Sequence, residues 1–339
     1  MTDRNAQAGA FGWDFQSNLA LYFASKDLKS LSRVKVEGPT EDIELFYEDG
    51  RRTFIQAKSQ LEPYNSSNTN SHLKNALKTL IDATSKTDYS VLYYGSNISN
   101  PFVFKEFGGL FGVGATDYSF NELPPKIKAK IEKYVHEVSI SENLSLDKFD
   151  YNRLRITTLP FFGDDDETRY RVIKQRVENL LDSLGLKSPQ INSIFTHYQL
   201  LFTQNSSKKI NIYKKDFAWP IIVYSLDTTS DEFYEEFNLD VSEEDAIESI
   251  YTGFIEKKTL EFTLFNEVSN HFLDFTESKS YQNKRNAARE FIDKHCLYYS
   301  RKIFYGKLDD MSEPVTQLIL WRIIKKIKVI KRLNKEVGL

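Results

Sequence analysis

The chain of 339 residues is longer than one typical hydrophobic core supports, so it suits two domains, or one domain with a large helical extension. Its composition of 40% apolar and 27% charged residues is that of an ordinary globular protein. The net charge of −3 excludes a polycation that holds nucleic acid through bulk charge, and any such contact must come from a local basic surface.

A single cysteine, Cys296, excludes a disulfide framework within the chain and suits a reducing cytosol. The first fifteen residues lack the apolar core of a signal peptide. The apolar run "WPIIVY" at 219–224 is far too short to span a bilayer. We therefore expect a soluble, cytoplasmic protein without a membrane partner.

The first half of the chain alternates between helical and strand-like hydrophobic patterns. In chain order the predicted elements are a helix at 13–31, a strand at 32–38, a hairpin at 41–58, a helix at about 72–86, a buried strand at 89–97, a helix at 126–140 and a strand at 154–162. This order predicts an α/β domain, with a small mixed β-sheet flanked by helices.

The second half of the chain is mostly helical in pattern, and "FGDDDET" at 162–168 reads as a charged linker. We place a domain boundary there, between an α/β domain at 1–162 and a mainly α-helical regulatory or assembly domain at 163–339. The last helix mixes apolar and basic residues and is predicted to dock on an acidic partner or to act as a DNA arm. The acidic stretch at 231–245 is a hypothetical docking site for it.

The hairpin "EDIELFYEDGRRTFIQAK" at 41–58 has two possible registers. A two-residue turn at Asp49-Gly50 would place Asp42 opposite Ala57 and bury acids. A three-residue loop with Gly50 in the left-handed conformation places Asp42 opposite Gln56 and leaves a cleanly apolar second face. Because burying unpaired carboxylates costs several kcal/mol each, we expect the three-residue loop.

In that register one face of the hairpin gathers Asp42, Gln56 and Lys58. A carboxylate and an amide oxygen are hard ligands suited to Mg²⁺. A nearby lysine can orient or deprotonate a water and neutralise charge on a phosphoryl oxygen. These are the elements that phosphodiester hydrolysis needs. The alternative for this face is a solvated surface with cross-strand ion pairs.

The arrangement resembles a known signature. Asp42, followed after thirteen residues by Gln56-Ala57-Lys58, is similar to the D…(D/E)xK motif of restriction-endonuclease-like nucleases (the PD-(D/E)xK superfamily), in the variant with Gln in place of the second acid. The segments "FGWDFQSNLAL", "VKVEGPTEDIEL" and "FIQAKS" resemble the nuclease domain of bacterial anti-phage effectors, over roughly residues 8–160. These effectors include the CD-NTase-associated double-stranded DNA endonuclease and the nuclease subunit of Lamassu systems.

The resemblance implies roles for the hairpin residues. Asp42 would be the central ligand of Mg²⁺ (or Mn²⁺), Gln56 the second ligand and Lys58 the catalytic lysine. Because Gln carries no charge, it leaves open whether one metal binds or two.

Four further residues receive roles from the same resemblance. Gln16, on the first helix, would face the site and hold a water or the substrate. Glu37 and Glu41 are candidates for a supporting or second-metal role, and Glu41 is counted among the metal ligands. Glu44 shares the hairpin face but lies farther along the strand, and we interpret it as structural or as an edge contact to DNA.

Four basic residues are predicted to contact DNA phosphates. Lys74 and Lys78 lie on the helix after the hairpin, and Arg51 and Arg52 lie at the hairpin tip. For each of these residues, simple solvation of an exposed charge is the alternative interpretation.

The helical second half does not resemble the cyclic-oligonucleotide sensor of the CD-NTase-associated enzymes, which favours a Lamassu-like subunit. The resemblance then implies a Mg²⁺-dependent DNA endonuclease that hydrolyses double-stranded DNA when partners activate it. The implied partners are an SMC-like ATPase and a small accessory subunit, and a homo-oligomer can form on activation. The alternative is a catalytically silent adaptor that uses the same fold to bind DNA or an ATPase, and a conventional restriction enzyme ranks third.

Overall fold

The computed structural model describes residues 3–112, 114–184, 191–224, 231–259, 261–277 and 284–338. The chain divides into two compact units, one extending to Phe217 and the other starting at Ala218. This division falls later in the chain than the predicted boundary at residue 162, which stays a prediction of where the nuclease-like segment ends. Within the described ranges, no helix is both long enough and apolar enough to cross a membrane.

The first unit is an α/β structure that begins with the predicted order of helix, strand, hairpin, helix and strand. Its elements are α1 (Asp3–Lys26), β1 (Leu31–Val36), β2 (Ile43–Tyr47), β3 (Arg52–Lys58), α2 (Thr69–Lys86), β4 (Val91–Ser96), β5 (Thr116–Ser119), α3 (Pro125–Glu142), β6 (Leu154–Thr158), α4 (Asp166–Ser183), α5 (Ile191–Lys208) and β7 (Ile212–Tyr213). The predicted mixed α/β fold class is confirmed.

A seven-stranded mixed sheet forms the centre of this unit, in the order β5-β6-β4-β3-β2-β1-β7. Strands β3, β4 and β6 run parallel, and the remaining pairings are antiparallel. Because parallel strands end at the same edge of a sheet, Lys58, Ser96 and Thr158 line up at one edge. The hairpin of β2 and β3 brings the start of β2 to this same edge.

Helices cover both faces of the hairpin. Phe54 belongs to a hydrophobic core that also contains Leu77 of α2 and Ile127 of α3. On the other face, Ile55 and Gly95 face α1, where a Cβ on Gly95 would lie 2.6 Å from the Cδ2 atom of Leu19. The burial of β4 on both faces agrees with its continuous apolar sequence, which is typical of a parallel strand.

The second unit is mainly helical. Its helices are α7 (Asp231–Phe237), α8 (Val241–Ala246), α9 (Thr252–Thr259), α10 (Phe262–Glu277), α11 (Lys284–Ile303) and α12 (Ser312–Val337), while α6 (Lys214–Tyr224) spans the division between the units. Its core includes the buried rings of Phe291, Tyr299 and Trp321. Cys296 is buried, and burial raises the pKa of its thiol to about 11, so the thiolate needed for nucleophilic chemistry is disfavoured.

The basic helix α12 contacts the acidic stretch through aromatic rings, whereas Glu236 of that stretch forms its ion pairs with another helix. Trp321 of α12 packs edge-on against Phe237 of α7, with ring centroids 5.6 Å apart. The acid of α7 at Glu236 pairs instead with Arg285 and Arg289 of α11. The structure describes the backbone of α12 but not most of its basic side chains, such as those of Lys328 and Lys331.

Candidate active site at the end of the hairpin

The hairpin adopts the three-residue loop. The Tyr47 N–H donates to the Arg51 carbonyl at 3.0 Å, and Gly50 closes the loop in the left-handed region with φ +87°. Ile43 lies opposite Ile55, and continuing this register places Asp42 opposite Gln56. The predicted register is therefore confirmed, because a glycine was available at the position where the bulge requires a positive φ.

Asp42 is the centre of a cluster of hydrogen-bond donors. Its Oδ2 atom accepts a hydrogen bond from Gln56 Nε2 and another from the Ala57 N–H at 3.0 Å, while Lys58 Nζ lies 4.0 Å away. Burial raises the pKa of the Asp42 carboxyl, and the Lys58 charge and the Ala57 N–H oppose this shift. The three hairpin residues singled out in the sequence are thus brought together on one face.

Two residues hold the backbone of Asp42 rather than its side chain. Gln16 Nε2, from α1, donates to the Asp42 carbonyl at 3.1 Å, and the Glu37 N–H donates to the same oxygen at 2.7 Å. Glu37 has φ +55°, a conformation that side-chain-bearing residues adopt only when the surroundings impose it. Gln16 and Glu37 therefore fix the position of Asp42, whereas the sequence predicted that Gln16 faces the site.

Glu41 is a buried acid without a partner. Its side chain is 4% exposed, and neither carboxylate oxygen has a hydrogen-bond partner. Burial and the neighbouring Asp42 charge raise the pKa of Glu41 to about 9, against a smaller lowering by Lys58. A carboxyl in such a place holds a proton or neutralises a bound cation.

Glu44 is buried for a structural reason. Its Oε1 atom accepts from the Thr40 N–H at 2.8 Å and the Glu41 N–H at 3.3 Å, which ties the loop before β2 together. A Cβ at position 38 would lie 2.4 Å from the Glu44 Cδ atom, so any side chain there would displace the Glu44 carboxyl group. The backbone donors offset the cost of burying this acid. Glu44 and Gln56 are buried on this face, whereas Asp42 and Lys58 are each 27% exposed and form a cross-strand ion pair.

Helix α2 supplies polar groups to the site that sequence reasoning missed. The Thr79 hydroxyl donates to Gln56 Oε1 at 2.5 Å. His72 lies two helical turns earlier on the same face, and its buried Nδ1 atom has no hydrogen-bond partner. Burial and the Lys58 charge lower the pKa of His72. The sequence pattern that could have revealed His72 and Thr79 is their seven-residue spacing, which places both on one helix face beside the apolar stripe of α2.

The four predicted DNA-binding residues lie elsewhere. Lys74 pairs with Glu137 at 2.7 Å and Lys78 with Glu142 at 2.7 Å, so both side chains reach toward α3. Arg51 pairs with Asp49 at the hairpin tip, and Arg52 donates to Thr87. The tip lies at the opposite end of β3 from Lys58, about 20 Å away at 3.3 Å per residue. None of these four cations joins the Asp42 cluster, and their contact with DNA stays a prediction.

The oxygen atoms near Asp42 form a partial ligand set for a hard cation. Within the described ranges, no group of three or more His, Cys, Asp or Glu side chains is arranged to hold a metal ion. Asp42 and the unpartnered Glu41 nevertheless offer two carboxylates, while Gln56 directs its Nε2 atom toward Asp42 and its Oε1 atom toward Thr79. Mg²⁺ commonly binds one or two protein carboxylates and keeps several waters, so these residues fit it.

The sheet, its covering helices and this acidic cluster define an α/β protein with a candidate site at the ends of its parallel strands. No protein-family profile matches the chain, and no curated protein matches it. Among solved structures, it is similar to the SAVED/CARF-domain containing receptor Cap4 of Acinetobacter baumannii with the cyclic trinucleotide 3'3'3'-cAAA (15% identity, TM-score 0.39, covering 68% of this chain and 50% of that one). It is also similar to Cap4 of Moraxella osloensis (15% identity, TM-score 0.38, covering 64% and 47%). The chain spans about half the length of these structures, and similarity at this level does not establish a shared function.

Proposed function

We propose that this chain is a Mg²⁺-dependent (or Mn²⁺-dependent) DNA endonuclease with a restriction-endonuclease-like site. The observation that carries the proposal is the cluster in which Asp42 meets Gln56 and Lys58 beside the buried, unpartnered Glu41. Structural hairpin faces rarely leave a buried carboxylate without any partner, whereas a site for a divalent cation requires uncompensated negative charge. The proposal assigns this carboxyl a use, because a bound cation would favour its ionised form.

Each residue has a defined task in phosphodiester hydrolysis. Asp42 and Glu41 would hold the metal with the amide oxygen of Gln56, and the bound metal would polarise the phosphate and lower the pKa of water. Lys58, whose Nζ lies 4.0 Å from Asp42, would orient the attacking water and neutralise charge on a phosphoryl oxygen. Gln16 and Glu37 keep Asp42 in position through its carbonyl.

The biological setting of the proposal rests on the motif resemblance described above. In that setting the chain is the effector subunit of a Lamassu-like anti-phage system, acting on double-stranded DNA. An SMC-like ATPase and a small accessory subunit would control it, and homo-oligomerisation would accompany activation. The second unit would serve regulation or assembly.

Plasmid nicking in the presence of Mg²⁺ tests the catalytic proposal. Asp42→Ala and Lys58→Ala should each abolish nicking, while Lys133→Ala, which removes an exposed cation of α3, should cleave like the parent protein. The assay should include the activating partners or a fused oligomerisation domain, because a partner-controlled nuclease is inactive alone. Wild-type cleavage by Lys58→Ala would refute the assignment.

The alternative function, a silent adaptor that binds DNA or an ATPase, is favoured by one observation. The Gln56 amide directs its nitrogen, not its oxygen, toward Asp42, which stabilises the carboxylate by a hydrogen bond without any metal. Calorimetric titration with Mn²⁺ distinguishes the two functions. A chain that binds DNA or the ATPase but takes up no Mn²⁺ is the adaptor.

A further inference from the structure

The Gln56 side chain lies between two hydrogen-bonding partners. On one side its Nε2 atom donates to Asp42 Oδ2, and on the other its Oε1 atom accepts from the Thr79 hydroxyl at 2.5 Å. Gln56 is 3% exposed, so its amide has little access to water. The orientation of the amide is therefore set by Asp42 and Thr79.

This orientation conflicts with a shared cation. For Gln56 and Asp42 to bind one metal ion, both must direct oxygen atoms at it, and Nε2 now occupies the position facing Asp42. A half-turn about the terminal torsion of Gln56 exchanges the two amide atoms without moving the rest of the side chain. The turned amide then needs an acceptor for its N–H on the side of α2.

The Thr79 hydroxyl can meet that need. Its Oγ1 atom lies 3.0 Å from the Ala76 carbonyl as well as 2.5 Å from Gln56. A hydroxyl both donates and accepts, so Thr79 can donate to Ala76 while accepting from the turned amide. In both orientations the amide atom of Gln56 that faces α2 keeps Thr79 as its partner, whereas the side that faces Asp42 and the Ala57 carbonyl needs a cation once the oxygen points there.

We propose that Thr79 is a positioning residue that lets the Gln56 amide turn over, so that the amide donates a hydrogen bond to Asp42 in one orientation and offers its oxygen to a divalent cation in the other. This inference rests on the proposed function, because it concerns the same metal site. It also makes Gln56 a competitor of the metal for Asp42. A metal ion that binds Asp42 must first displace the hydrogen bond from Gln56 to Asp42. A site with an acid at position 56 would have no such hydrogen bond.

The proposal distinguishes between two substitutions at position 79. In Thr79→Val the observed orientation keeps its charge-assisted bond to Asp42, but the turned amide loses the acceptor for its buried N–H. Buried N–H groups without an acceptor are rarer in proteins than under-satisfied carbonyls, so the turned orientation is disfavoured more. Thr79→Ser keeps the hydroxyl and serves as the matched control.

Titration of the full chain with Mn²⁺, monitored by calorimetry, tests the inference. Thr79→Val should weaken Mn²⁺ binding by roughly threefold to tenfold, the factor that one hydrogen bond contributes to an equilibrium. Thr79→Ser should bind like the parent. Gln56→Glu needs no turn because both its oxygens are acceptors, so it should bind Mn²⁺ more tightly, and adding Thr79→Val to it should change the affinity little.

A direct reading of the turn comes from NMR with ¹⁵N-labelled glutamine and Mg²⁺ as the diamagnetic probe. The side-chain amide of Gln56, assigned by its absence in Gln56→Met, should lose its contact to the Ala57 amide proton and gain one to the Thr79 methyl group. An unmoved amide in a protein that binds Mg²⁺, or an equal effect of Thr79→Val with Gln and with Glu at position 56, would overturn the inference and leave the proposed function standing. A parent chain that binds no Mn²⁺ would overturn both.

Discussion

Removing the titratable carboxyl of Glu41 should change how stability depends on pH. Burial and the Asp42 charge raise the pKa of Glu41 from 4.5 to about 9 in the folded protein. The folded protein therefore keeps a proton on Glu41 that the unfolded chain releases as the pH rises above 4.5. Glu41 accordingly lowers the free energy of unfolding as the pH rises, across a window from about 4.5 to about 9.

The size of this effect follows from the shift. Each pH unit inside the window changes the free energy of unfolding by 1.36 kcal/mol, so raising the pH from 5 to 7 should remove roughly 3 kcal/mol of stability. The Glu41→Gln variant has no titrating group at this position. Its free energy of unfolding should therefore fall by roughly 3 kcal/mol less than that of the parent between pH 5 and 7. At pH 7 the variant should then be more stable than the parent in the absence of metal.

Pulse proteolysis in a urea series, in buffers that contain EDTA, measures the effect in the first unit. The surviving peptides from β2, β3 and β4 report on the unfolding of the sheet at pH 5, 6 and 7. Glu106→Gln is the control, because this exposed acid pairs with Lys126, which keeps its pKa below the usual value and the group ionised throughout the interval. Identical pH dependence in the parent and Glu41→Gln would show that Glu41 is neither buried nor protonated as described.

Two further substitutions test the packing around the site. Gly95→Ala places a methyl group 2.6 Å from Leu19 Cδ2 and 3.3 Å from Ile55, and should lower the free energy of unfolding by about 1–3 kcal/mol in urea titrations, whereas Gly109→Ala, with open space around it, should not. Gln16→Leu removes the hydrogen bond to the Asp42 carbonyl, and should cost about 1 kcal/mol of stability and lower the Mn²⁺ affinity measured by calorimetry. Unchanged Mn²⁺ affinity in Gln16→Leu would show that Asp42 is held without it.

The hairpin register could be predicted from the sequence because two local rules agree. Apolar residues at alternate positions define one buried face, and Gly50 supplies the positive φ that a three-residue loop requires. Both rules involve residues close together in the chain. The resulting juxtaposition of Asp42 with Gln56 needed no knowledge of the rest of the fold.

The orientation of the Gln56 amide could not be predicted in this way. It depends on Thr79, which comes twenty-three positions later and meets Gln56 only because α2 packs back over β3. The same limit applies to the lysines of α2. Lys74 and Lys78 looked available to DNA in the sequence, but their partners Glu137 and Glu142 arrive with α3.

The composition of the site follows from the odd length of one loop. Side chains alternate between the faces of a strand, so a loop one residue shorter would move Asp42 across the sheet, to the side where α1 packs on Ile55 and Gly95. There the carboxylate would meet apolar side chains, while Gln56 and Lys58 stayed on the side of α2. Because the acid, the amide and the ammonium group depend on a single register, the site is lost or kept as one unit.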